Sequence, residues 1–157
     1  MASIRSRLIT GLVVLASALV VASPASASVS AAYGTMTAVA PTAAGCSGGT
    51  CMTESATFAS NGTVSTNVTV TITLYRTARS GATTASSADY VVKKASITYA
   101  TAKGTKSTWT LSAAQKCLTV ATVAYGYYTK ATMTNGTTAG TVTGSSAIKQ
   151  LKGCATV

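Results

Sequence analysis

From Thr66 to Arg76 the chain reads TNVTVTITLYR, with apolar residues at every second position: Val68, Val70, Ile72 and Leu74. Alternation of period two marks a strand with one face buried and the other in water. Upstream, MTESATF puts Met52, Ala56 and Phe58 on one face, and Asn61-Gly62 separates the two runs. A two-residue turn there would leave the apolar rows on opposite sides. A three-residue loop, Ser60-Asn61-Gly62, pairs Phe58 with Val64 and Met52 with Val70, and turns both rows inward. The sequence therefore predicts a hairpin in that register, with a bulge at Gly62 in the left-handed region.

Further strands are predicted over 33–39, 90–102 (Val91, Ala95, Ile97 and Tyr99 on one face), 107–111 and 118–133, with one or two more within 141–151. Residues 103–106 and 134–140 read as turns and 76–89 as an irregular, mobile loop. SAAQK at 112–116 is the one candidate helical turn. Val, Thr, Ile and Tyr dominate while Glu and Leu are sparse, a composition suited to pleated surfaces. Roughly seven strands at this spacing predict an all-β fold. The preferred form is a small antiparallel β-sandwich, Ig-like in general architecture, with a small barrel as the alternative. Lys93 and Lys94 must point to opposite faces, which marks an edge strand guarded by an inward charge.

The N-terminus, MASIRSRLITGLVVLASALVVASPASA, has a positive start, an apolar middle and a small-residue cleavage site. That is the layout of a secretory signal peptide over 1–27, and its apolar run is too short to span a bilayer. Residues 28–44 read as a flexible arm or first edge strand, and 45–157 as the sandwich domain. The expectation is a secreted, extracellular protein with no membrane span in its mature form. The Ala/Thr/Val-rich composition is similar to that of exported proteins of GC-rich bacteria, where glycosylation at Asn61, Asn67 or Asn135 is not expected.

Four cysteines in an exported chain predict two disulfides. The glycines of CSGGTC let Cys46 reach Cys51, which leaves Cys117 to pair with Cys154. A zinc site is disfavoured, because the spacing is wrong and the chain has no His.

The missing His also rules out a Ser-His-Asp triad. Glu54 and Asp89 are the only side-chain carboxylates. Paired-carboxylate hydrolysis would need both across one cleft, yet one falls on a strand and the other beside a loop. A Ser-Lys hydrolase remains as an alternative without a local motif. The sequence thus predicts no enzyme, no cofactor and no metal.

The formal net charge is +10, of which Arg5 and Arg7 in the leader carry two. Such an imbalance favours acidic partners. Arg76, Arg79, Lys103, Lys106, Tyr125, Tyr127 and Tyr128 form the candidate binding surface. The expected partner is another secreted protein or an acidic cell-surface polymer, without specific nucleic acid recognition. The leading function is an adaptor or structural subunit of an extracellular assembly, toxin or antagonistic assemblies included. A free-standing inhibitor, antimicrobial or polyanion binder is the alternative.

Thr69, Thr71 and Thr73 are similar to one line of the Thr-x-Thr arrays of ice-binding proteins. No repeat of fixed period supplies further lines, so the row is assigned to the solvent side of a strand.

Overall fold

The computed structural model describes residues 26–155. The predicted signal peptide lies, except for Ser26 and Ala27, outside the described residues. Among the described residues nine strands form: β1 Ala27–Ala31, β2 Gly34–Cys46, β3 Gly49–Ser60, β4 Thr66–Ser80, β5 Tyr90–Thr101, β6 Thr108–Lys116, β7 Tyr125–Thr134, β8 Thr141–Ser145 and β9 Lys149–Leu151. All pair antiparallel, in two sheets. One has the order β1-β2-β3-β6, the other β5-β4-β7-β8 with β9 also beside β7. The architecture is a β-sandwich with disulfides Cys46–Cys51 and Cys117–Cys154, as the spacing predicts. Among the described residues no helix is long and apolar enough to cross a membrane.

Alternation holds, but the partners differ from the predicted ones. β3 pairs with β2 and β6, and β4 with β5 and β7, so the Phe58–Val64 and Met52–Val70 hairpin does not form. The hairpin forms instead at the Cys46–Cys51 turn, where Gly48 takes φ 74°. Residues 61–65 cross from one sheet to the other. Both apolar rows still meet in the core, but as facing layers rather than paired neighbours. Gly62 does take the left-handed conformation, at φ 72°. A Cβ there would also meet the Thr105 backbone at 3.1 Å, so glycine serves twice.

Other boundaries also move. SAAQK is the end of β6, not a helical turn, because five residues cannot offset helix nucleation when β3 offers a full ladder. Residues 118–124 lie outside β7, and β4 runs on to Ser80, which places Arg76 on a strand rather than in a loop. β5 is an edge strand, with Lys93 half-buried and Lys94 exposed.

The core centres on Tyr33, Met36, Phe58, Val70, Ile72 and Met133, with Tyr99 and Trp109 stacked beside Phe58. A second cluster joins Met52, Leu74 and Tyr127 to the Cys117–Cys154 disulfide. The connections gather at the two ends of the sandwich. One end holds the 46–49 turn, loops 81–89 and 117–124, and residues 152–155. Both disulfides lie there, and we call it the cystine end.

Candidate functional site

Alternation along β4 carries its buried row one step past Leu74, to Arg76. The guanidinium therefore points inward, where Nη1 donates to the carbonyl oxygens of Cys154 at 2.9 Å and Ala155 at 2.5 Å. Its planar carbon lies 5.1 Å from the Tyr90 ring centroid and 4.7 Å from that of Tyr125, so the cation is flanked by aromatic faces. Tyr127 donates to the same Cys154 carbonyl at 3.0 Å. Its hydroxyl pKa is raised by burial, and the nearby Arg76 charge opposes that rise.

Gly153 makes this approach possible. A Cβ there would fall 2.6 Å from the Met52 sulfur and 2.7 Å from the Tyr127 ring. Arg76 thus locks the segment after β9 against the sandwich, and the Cys117–Cys154 bond fastens loop 117–124 to that segment.

Five of the seven large apolar side chains exposed among the described residues lie at this end; the other two are Ile97 on β5 and Val64 at the opposite end. Leu118 is 93% exposed, and Val120, Val123, Tyr90 and Val91 are exposed too. A hollow of about 210 Å³ lies among Val120, Val123, Tyr125 and Ala155. A second, of about 320 Å³, lies under loop 81–89 beside Arg79. Lys116 and Lys152 are exposed next to the disulfide.

The seven residues of the predicted binding surface do not form one patch. Arg79 and Tyr125 are at the cystine end, whereas Lys103 and Lys106 are in the β5–β6 turn at the opposite end. β5 alone, with 12 residues, separates those ends by about 40 Å. Arg76, Tyr127 and Tyr128 are at the cystine end but buried, so they support the surface from beneath. Tyr128 stacks on Tyr75 and donates to Asp89 at 3.1 Å. Its pKa is raised by burial and by the hydrogen bond to, and charge of, Asp89.

Of the two acids Glu54 is buried, and Asp89 is half-buried in the wall of the hollow beside Arg79. Asp89 accepts from the Ala78 and Ser86 N–H groups at 3.1 and 2.9 Å, which ties down the loop read from sequence as mobile. Glu54 occupies the inward row of β3 at 0% exposure, and neither carboxylate oxygen has a hydrogen-bond partner among the described residues. Burial raises its pKa to about 7, opposed by the charge of Lys93 on the facing sheet. Neither carboxylate faces a shared cleft. The exposed charged side chains among the described residues are all Lys or Arg.

The Thr row does align across strands. Thr98, Thr69, Thr134 and Thr141 form one line across the sheet, and Ser96, Thr71, Thr132 and Thr143 the next. Their hydroxyls pair with one another, as between Thr69 and Thr98 at 2.9 Å and between Thr132 and Thr143 at 2.8 Å. The other sheet pairs its outward hydroxyls likewise, at Ser30–Thr35 and Thr57–Thr110. Hydroxyl ladders on both outer faces are cross-strand stabilisation.

The inward register of Arg76 and Glu54 is the feature the sequence reading missed. Its signal was present, since both stand at even positions within apolar rows. No protein-family model, curated protein or solved structure matches this chain.

Proposed function

We propose that the protein is an exported, non-catalytic binding protein that docks end-on, through its cystine end, onto an acidic partner outside the cell. It works as the attaching subunit of a larger extracellular assembly or as a binder on its own. The observation that carries this reading is the concentration, at the cystine end, of five of the seven exposed large apolar side chains beside the exposed cations Arg79, Lys116 and Lys152. Large apolar side chains left in water on an otherwise Thr- and Ser-faced body are the usual mark of a contact surface. Two disulfides fit an oxidising compartment. Neither carboxylate is placed for acid-base work, because one is sealed in the core and the other holds a loop.

The test is retention of the purified, exported protein on envelopes of the producing cell or of its neighbours. Loss of retention in L118D/V123D, with K103E/K106E unaffected, is the expected result. Equal retention of all three proteins would overturn the reading. A second reading, attraction by charge alone, is favoured by the absence of exposed acids among the described residues. It predicts retention that vanishes in high salt and falls further in K103E/K106E, which removes about four units of positive charge, than in L118D/V123D, which removes about two.

A further inference from the structure

Loop 117–124 holds apolar side chains out in water by construction. Cys117 is bonded to Cys154, and its N–H donates to the Thr50 carbonyl at 2.9 Å. The Ala155 N–H donates to the Thr119 carbonyl at 2.8 Å, and Val120 bridges to Cys154. The Ala121 N–H donates to the Gly153 carbonyl, again at 2.8 Å. The Val120–Cys154 bridge consists of those last two bonds, so one disulfide and three backbone hydrogen bonds hold residues 117–121 around Leu118. A loose loop would fold such a side chain away, because leaving it in water forgoes its transfer energy. Here the fold keeps Leu118 93% exposed, with Val123 50% exposed further along the same loop.

Three kinds of side chain share the cystine end. The aliphatic side chains of loop 117–124 are exposed. Tyr125 and Tyr90 lie on either side of Arg76. Lys116 and Lys152 flank the disulfide, and Arg79 sits near the end of β4. A bilayer boundary takes the same three kinds: acyl chains take aliphatic groups, the interface takes tyrosine, and anionic headgroups take lysine and arginine. A protein partner would need a shaped cavity to receive a rigid, protruding leucine. A fluid bilayer needs none.

We propose that the cystine end docks onto an anionic lipid bilayer, with Leu118 and Val123 entering the acyl boundary and Lys116, Lys152 and Arg79 meeting the headgroups. This rests on the reading of the cystine end as the binding surface, and names its partner.

The test is co-sedimentation of the disulfide-bonded protein with vesicles of phosphatidylcholine alone, or of equal parts phosphatidylcholine and phosphatidylglycerol. Binding is expected to the anionic vesicles. It should weaken roughly tenfold or more in L118S/V123S, because each residue loses its apolar transfer energy. K116E/K152E should weaken it by a similar factor. Both Leu118 and Val123 are exposed, so the thermal midpoint of L118S/V123S should match that of the wild type and exclude misfolding.

No binding to either vesicle would overturn the proposal, as would binding that L118S/V123S leaves intact. If wild type ignores vesicles while L118D/V123D still loses retention on envelopes, the lipid assignment falls. The cystine end then remains the binding surface, for a wall polymer or an acidic protein. If both responses are missing, both readings fall.

Discussion

Arg76 and Cys154 stand 78 positions apart in sequence, and Nη1 of the arginine donates to the cysteine's carbonyl at 2.9 Å. The same nitrogen reaches Ala155, so one buried cation fastens the segment that holds loop 117–124. Removing it leaves two carbonyls short of their charged donor and strips the cation from between two tyrosine rings. R76M should cost about 2 kcal/mol, the usual worth of hydrogen bonds from a charged group. R76K should recover only part, because an ammonium lacks the planar guanidinium that lies between the Tyr90 and Tyr125 rings. Urea unfolding followed by circular dichroism measures both. An R76M protein as stable as wild type would show that the C-terminal segment is held by its disulfide alone.

The two disulfides should differ in effect. Cys117–Cys154 closes a loop of sequence separation 37, whereas Cys46–Cys51 spans only 5. On the chain-entropy account C117S/C154S should lose about 4 kcal/mol and C46S/C51S about 2. The first change should also free loop 117–124. Proteolysis within 117–124 is therefore expected in C117S/C154S and not in C46S/C51S. Cleavage at equal rates in both would show that the backbone hydrogen bonds alone hold the loop.

Gly153 tests the close packing beneath the same segment. An alanine Cβ would enter within 2.6 Å of the Met52 sulfur and 2.7 Å of the Tyr127 ring. Met52 can swing, but the tyrosine is held by its bond to Cys154. G153A should destabilise by about 1–3 kcal/mol, the range for overpacking a filled core. Thermal unfolding of G153A beside wild type measures it, and an unchanged midpoint would mean that the segment shifts without loss.

Much of this structure is legible in local pattern, and what is not depends on distant partners. The β rows, the disulfide pairing and the left-handed Gly62 follow from alternation, ring size and turn chemistry, all of which act within a few residues. The choice of β3's neighbours does not. Phe58 facing Val70 across the core and Phe58 paired beside Val64 bury the same side chains, and only the whole sheet decides between them. The disulfide-closed hairpin takes one edge of β3, β6 takes the other, and β4 is left for the opposite sheet. Parity also carried more than composition suggests. Glu54 and Arg76 fall in buried registers because backbone alternation does not yield to one charged side chain among three or four apolar ones. Leu118, Val120 and Val123 mislead for the opposite reason. They are strand-forming residues by type, but the Cys117–Cys154 bond and the Gly153 carbonyl hold them in a loop.

Glu54 supplies the clearest dependence on pH. It lies at 0% exposure with neither oxygen hydrogen-bonded among the described residues, and its pKa is held up at about 7 against an ordinary value of 4.5. In the unfolded chain it titrates near the ordinary value. Below pH 4.5 both states keep the proton, and this group does not affect stability. As the pH rises from 4.5 to about 7, the unfolded chain releases its proton while the folded chain retains it, so stability falls. Above that window the folded state carries the full cost of an ionised, unpartnered carboxylate, roughly 3 kcal/mol. E54Q cannot titrate, so its stability should be flat across the window and exceed that of wild type on the alkaline side. K93M removes the charge that favours the carboxylate, and should extend the falling limb to higher pH. Urea unfolding at a series of pH values, followed by the fluorescence of Trp109, resolves all three curves. A wild-type curve that is level or rising through this window would mean that water or a cation reaches Glu54 inside the sandwich.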